Sequence, residues 1–253
     1  MAMRAAGALS RAQRHAPIRT VVAGVAAILV ASAALVGCSV QPEPVDPPAP
    51  TATTPPTAAP EPTQEPSEPS WERFEDPRLP HSFEIPPGWT VVDLGGDAEI
   101  RAFQFGVVNA AGEQLLTFAS RVQGLGGACR DLPELSIEEA DTRSVELPGY
   151  VAATDSPAPL VAPRVVYRVS EVNGGALASL SLSDDTPPEA CMYYNLLHTE
   201  GGLAMFATQL QVDSFDPAAS PWLFGSVEEA REYANTAEYE QLVRVLSSLS
   251  FAE

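Results

Sequence analysis

From Thr20 to Val40 the chain carries no charged side chain, and the residues from Met1 to Thr20 hold four arginines (Arg4, Arg11, Arg14, Arg19) and no acid. A basic segment feeding an apolar run of about twenty residues is an export leader, and a run of that length can just cross a bilayer. Gly24 and the many alanines make that span weak. The arginines stay on the cytoplasmic side, and everything after Val40 is expected outside the membrane. The next stretch, Gln41 to Ser70, is dense in proline with Thr, Ala, Glu and Gln, and Val45 is its only large apolar residue. Such a segment cannot bury enough surface to offset chain entropy. It is expected to be an extended spacer, reaching at most about 90 Å at about 3.1 Å per residue in the polyproline II form. A docking ligand for a proline-binding partner is the weaker alternative, because no basic residue accompanies the prolines.

The apolar run ends in Leu35-Val36-Gly37-Cys38, small residues ahead of a thiol. The motif resembles the lipobox of bacterial lipoprotein signals. The resemblance implies that residues 1–37 are a cleaved signal peptide, that Cys38 becomes the N-terminus, and that its sulfur carries diacylglycerol. Each buried CH₂ then contributes about 0.8 kcal/mol to membrane attachment. The expected location is the outer face of the cytoplasmic membrane, with the bilayer as a partner through the lipid. An uncleaved anchor would leave the same orientation. The expected organisation is therefore leader 1–37, lipidated cysteine and linker 38–70, and one globular domain 71–253.

Charge narrows the chemistry. All fourteen basic residues are arginine; with four in the leader, ten remain against 33 acids, so the exported part carries a net charge of -23. Nucleic acid is not an expected partner, since phosphate binding needs clustered cations. Lysine is absent, which removes Schiff-base, P-loop and Ser-x-x-Lys chemistry. Arginine-only, alanine-rich usage also suggests a high-GC genome such as an actinobacterium's.

With Cys38 committed to lipid, Cys129 and Cys191 remain, and in an oxidising compartment an isolated pair is expected to be a structural disulfide. A redox pair would need closer spacing. His81 and His198 lack the spacing of a zinc site, so no metal and no cofactor are expected. The acid pairs Glu138-Glu139 and Asp184-Asp185 adjoin helix or turn signals and are expected to be solvated caps. Two aromatic groups are candidate binding residues: Trp222 and Phe224 in Pro221-Trp222-Leu223-Phe224-Gly225, and Tyr193 with Tyr194. Their competing role is core packing, for which aromatics beside a helix start are suited.

The domain's grammar is hairpins. Ser82 to Ile85 and Trp89 to Val92 flank Pro86-Pro87-Gly88; Ala102 to Val108 and Gln114 to Val122 flank a turn at residues 109–112. Arg164 to Val172 and Leu177 to Ser183 flank Asn173-Gly174-Gly175, the strongest hairpin signal in the chain, because Asn-Gly tolerates positive φ at both turn positions. Cys191 to Leu197 and Leu203 to Val212 meet at Glu200-Gly201-Gly202. A short helix is expected at Ser136 to Asp141. Ser226 and Glu229 have capping-box spacing, each expected to satisfy the other's backbone donor. Past an interruption at Asn235-Thr236, the stripe Tyr239, Leu242, Val243, Leu246, Leu249 predicts an amphipathic helix, with Phe251 sealing its end. The fold class is α+β, an antiparallel sheet of about six to eight strands with C-terminal helices packed on it.

The opening Ser82-Phe83-Glu84-Ile85-Pro86-Pro87-Gly88-Trp89-Thr90-Val91 and the closing Leu246-Ser247-Ser248-Leu249-Ser250-Phe251 resemble the PsbP-like fold, which includes actinobacterial lipoproteins of unassigned role. The resemblance implies an α/β/α sandwich used for docking or carrying, without shared catalytic residues. The functional expectation is a membrane-tethered, non-enzymatic binding or adaptor domain with an envelope protein partner. A carrier of a small hydrophobic or lipid ligand is the alternative, and a wall-polymer hydrolase ranks last.

Overall fold

The computed structural model describes residues 70–252 except Ala128, Arg130, Asp131 and Ala158. The leader, Cys38 and the proline-rich linker lie outside the described residues. The elements are β1 (Glu72–Glu75), β2 (His81–Ile85), β3 (Thr90–Asp97), β4 (Ala102–Val108), β5 (Gln114–Ala119), β6 (Ile137–Ser144), β7 (Leu160–Val172) and β8 (Gly175–Asp185). They continue with β9 (Met192–Tyr194), β10 (Leu197–Thr199), β11 (Gly202–Ala207), β12 (Gln211–Asp213), β13 (Leu223–Phe224), helix α1 (Val227–Tyr233), helix α2 (Ala237–Ser247) and β14 (Ser250–Phe251).

The main sheet is nine-stranded, in the order β3-β4-β5-β11-β8-β7-β6, with β10 beside β11 and β13 beside β8. All pairs are antiparallel. Two meanders, β3-β4-β5 and β6-β7-β8, are thus joined by β11 inserted between them. The expected α+β class stands, but its centre is a long-range pairing, not a chain of consecutive hairpins. Both edges carry bulges, at Asp93/Gly95 and Glu139/Asp141, which twist an edge away from further pairing.

Alternation along β7 and β8 divides the sheet's faces. Val165, Tyr167, Val169, Ala178, Leu180 and Leu182 join the core formed with α1 and α2. Small sheet β1-β2-β14 packs on the same core through Phe83 and Ile85. The opposite face is covered by the ribbon β12-β9 and by residues around Leu135, where Leu177, Tyr193 and Val212 form a second cluster. Among the described residues both α-helices lie on one face, so the layering is one helical layer, the sheet, and a ribbon, not helices on both sides.

Several local expectations are corrected. The bend at Pro86-Pro87-Gly88 is a turn, with Trp89 N–H donating to the Pro86 carbonyl at 3.1 Å and Gly88 at φ 80°. It does not join a hairpin: β2 pairs with β1 and β14, and β3 pairs with β4. Pro then Gly at the two central positions suits a type II turn, which splays its flanking strands. In the Asn173-Gly174 turn only Gly174 takes positive φ. Gly175, at φ 150°, is needed as well, since a Cβ there would also collide with the Phe224 carbonyl where β13 crosses.

The helix expected at Ser136 to Asp141 is strand β6. Period-two alternation is what its acids require: Glu138 reaches Arg231 of α1 at 3.0 Å, while Glu139 pairs with Arg164 at 2.8 Å on the other side. Pairing with β7 overrides the local helix signal. The expected strand Leu203 to Val212 breaks after Ala207, so β11 stays in the sheet while β12 joins β9 on the far face. Ser226 caps α1 as expected, accepting from Glu229 N–H at 3.1 Å. Glu229, however, accepts from Gly225 N–H at 2.8 Å and not from Ser226. Thr236 caps α2 through Tyr239 N–H.

Candidate functional site

The expected disulfide is present: Cys129 and Cys191 are bonded, with Cα atoms 5.4 Å apart. Trp222 and Phe224 do not form an exposed lip. They are 2% and 1% exposed and pack with Tyr233 at ring distances of 5.5 and 5.7 Å. Short strand β13 docks this segment onto β8, which turns both rings inward. Tyr193 is buried, and desolvation pushes its phenol up to about 12. Tyr194 is half-buried on the opposite strand face, with its hydroxyl bonded to both the N–H and the carbonyl of Gly126. All four aromatics therefore hold the fold together.

Two polar clusters were not legible from motifs. On the sheet face away from the helices, the Arg168 side chain is 0% exposed. It donates to the Ser183 hydroxyl at 3.3 Å and the Asp185 carbonyl at 3.2 Å, stands 3.4 Å from Glu139, and lies over the Tyr193 ring. Its neighbours on β8 are hydroxyls: Ser179 bonds Tyr193 and Ser181 bonds Asn195, both at 3.0 Å. Nη1 of Arg168 and Oγ of Ser170 lack partners among the described residues.

The second cluster centres on Asp184, which is fully buried and not a solvated cap. It accepts from the Tyr150 hydroxyl at 2.6 Å, from His198 N–H at 2.7 Å, and from His198 Nδ1 at 2.8 Å. The hydrogen bond to Asp184 raises the His198 pKa above its ordinary value. An aspartate holding Nδ1–H is the orienting half of a catalytic triad. Among the described residues no hydroxyl or thiol is hydrogen-bonded to Nε2, so the cluster serves to clamp the loop around Tyr150 to β8 and β10. No group of three or more His, Cys, Asp or Glu among the described residues is placed to hold a metal ion.

Above this clamp lies a cleft of about 460 Å³ whose lining includes Arg101, Arg121, His81, Val151, Leu203 and Phe251. Its rim is built at one end of the β4-β5 hairpin. The pairing Gln104↔Ala119 brings Arg101 and Arg121, just beyond the two strand ends, close together. Buried Ser120 fastens the two chains by accepting from Phe103 N–H and donating to the Arg101 carbonyl, each at 3.1 Å. Both arginines have left-handed backbones, φ 58° and 50°, and are the two non-glycine residues with positive φ among those described. Such a conformation costs about 1–2 kcal/mol per residue and tends to occur where function demands it. The opposite wall is tied on by Val122 N–H to the Leu203 carbonyl at 2.8 Å and Glu200 N–H to the Val151 carbonyl at 2.9 Å.

His81, which lines the cleft, lies between Phe118 and Phe251, ring distances 5.1 and 4.8 Å, with Nδ1 buried and without a partner among the described residues. Burial, aided by the charge of Arg101, pushes its pKa down to about 4. The unfolded chain therefore takes up this proton first, near the ordinary value of about 6.5. Stability is lost as pH falls from there and the loss is complete below about 4. His198, with its raised value, acts in the opposite sense, its contribution being present below about 6.5 and lost as pH rises through its folded value. Replacing His81 by phenylalanine should remove the acid-side loss. Between pH 7 and 4.5, urea melts should show the wild type losing about 2–3 kcal/mol more than His81→Phe; equal losses would place the acid sensitivity elsewhere.

The cleft is not legible from local motifs because its residues come from six separate stretches. The one sequence signal was the expected hairpin of Ala102 to Val108 with Gln114 to Val122, whose pairing alone brings Arg101 near Arg121. Set against known protein families, curated proteins and solved structures, the chain matches none.

Proposed function

We propose that this domain is the head of a lipid-tethered envelope protein that binds a ligand or partner without transforming it, and that the cleft beside Arg101 and Arg121 is its binding site. The single observation carrying this reading is that the two strained non-glycine residues are adjacent, exposed and at the rim of one cleft. Strain of this kind persists only where the surrounding structure over-determines it.

The alternatives draw less support. A carrier of apolar molecules needs an enclosed greasy cavity, yet the space between the sheet and its helices is filled by Tyr167, Leu180, Phe206, Trp222, Tyr239 and Leu242. A hydrolase needs two unencumbered carboxyl groups across a cleft. Glu139, which lines another cleft, has both oxygens engaged by Arg164 and faces Arg168 as well.

The PsbP-like kinship is also proposed, supported by the meeting of the two stretches that carry the resemblance. Ser82 pairs with Ser250 and His81 with Phe251, so the opening and closing motifs form one sheet. The tether rests on the leader's charge pattern and Cys38. Intact cells fed a fatty-acid probe should label the full chain, and Cys38→Ser should abolish the label and release the protein from membranes. An unlabelled wild type that still pellets with membranes overturns the tether. The binding reading is tested separately, by immobilising the full chain and challenging it with envelope extract. It expects an enriched component that is lost when Val151→Glu narrows the cleft, and it fails if nothing is enriched.

A further inference from the structure

We infer that the cleft takes an anion, a carboxylate or phosphate group joined to a small apolar body. The inference rests on the reading of the cleft as the binding site and adds the ligand's chemistry. Arginine is scarce here: fourteen basic residues face 33 acidic ones. Each of the other seven described arginines is engaged. Arg73 bonds two serine hydroxyls, and Arg78, Arg143, Arg164, Arg168, Arg231 and Arg244 all pair with carboxylates. Arg101 and Arg121 alone among the described arginines have a guanidinium with neither hydrogen bond nor ion pair, although acids abound on the surface. Leaving two guanidiniums unpaired in so acidic a molecule keeps two five-donor forks free for an incoming oxyanion.

The remaining groups in the cleft fit that ligand. Arg78 also lines it, already held by Asp76 at 2.8 Å and Asp93 at 2.7 Å. The one carboxylate on the wall, Glu200, has no ion pair with the arginines, so the free guanidiniums outnumber it. Val151, Leu203 and Phe251 supply apolar surface below the rim, suited to the body of a small ligand. The surrounding negative charge would repel anions elsewhere, so among the described residues the cleft, with its two unengaged guanidiniums, is where an anion gains attraction.

The test is calorimetric titration of the full chain with benzoate, phenyl phosphate and, as a neutral control of similar size, benzyl alcohol. At least one anion should bind at or below about 1 mM, at least tenfold more tightly than the control, and the tighter of the two identifies the acid group. The double variant Arg101→Gln/Arg121→Gln should lose at least tenfold in that affinity, and so should Val151→Glu, which adds a negative charge at an exposed position and does not depend on the strained backbone. Arg101→Gly/Arg121→Gly should lose binding while its melting temperature rises, because glycine relieves the left-handed backbone. That opposition distinguishes a binding role from a structural one. If neither anion binds more tightly than benzyl alcohol, or if the double Gln variant binds them as the wild type does, the inference falls. Binding of all three probes alike, lost in Val151→Glu, would overturn the anion while leaving the cleft as the binding site; binding by none would overturn the anion inference alone, since the binding site itself stands or falls with the envelope-extract experiment.

Discussion

Replacing Cys129 and Cys191 together by serine is expected to lower the domain's unfolding free energy by about 4 kcal/mol, the chain-entropy value for a loop of 62 residues. The loss should begin locally. The described residues between Val122 and Ser136 form neither helix nor strand, and few contacts besides the disulfide attach them. Leu135 N–H bonds the Ala190 carbonyl at 2.9 Å, the Ser214 hydroxyl bonds the Pro133 carbonyl at 2.8 Å, and Tyr194 holds Gly126. Without the covalent link, this cover over Leu177 and Tyr193 opens first. Hydrogen exchange should therefore accelerate around Leu135 and the β12-β9 ribbon before it changes in β7 or β8. Chemical denaturation that leaves the midpoint unmoved in the double serine variant would contradict this account.

Arg168→Ala should be comparably damaging, by about 3–5 kcal/mol, because it empties a buried guanidinium site and strips a partner from Ser183 and Glu139. Arg168→Met should cost much less. The methionine restores volume over the Tyr193 ring, Glu139 keeps its bidentate hold on Arg164, and the unpartnered Nη1 donor disappears together with its desolvation cost. Burial already pulls the Arg168 pKa below its ordinary value, a sign that its carboxylate neighbours do not fully offset the lost hydration. The ordering Ala far below Met, read from denaturation midpoints, separates a space-filling role from an electrostatic one. Equal losses for both variants would mean that the charge itself holds this layer.

The disulfide and Arg168 lie at opposite ends of what a sequence makes legible. The disulfide was legible because the cysteine count leaves a single pairing once Cys38 is expected to carry lipid and the domain is expected in an oxidising compartment. Arg168 was not, because strand alternation within β7 looks the same whether the face beneath an arginine is solvent or a ribbon folded over it. Asp184 was misread for the same reason: an acid next to a turn is usually solvated, and only the return of β10 alongside β8 places His198 against it.

Local physics was enough for the elements whose causes lie within a few residues. The hairpins around residues 109–112 and 173–174, the Ser226 cap, the break at Asn235-Thr236 and the helical stripe from Tyr239 to Leu246 depend on turn chemistry, capping and periodicity, all written in adjacent positions. What the sequence left open was decided by pairings between distant segments. β11 enters between β5 and β8, β14 closes onto β2 across more than 160 residues, and β6 abandons its helical signal to pair with β7. The cleft belongs to this second class. Its two free arginines meet across one hairpin, but its histidine and its apolar wall join them only after the sheet has formed, since no local interaction rewards their approach and the hydrogen bonds that gather them are made by the completed backbone.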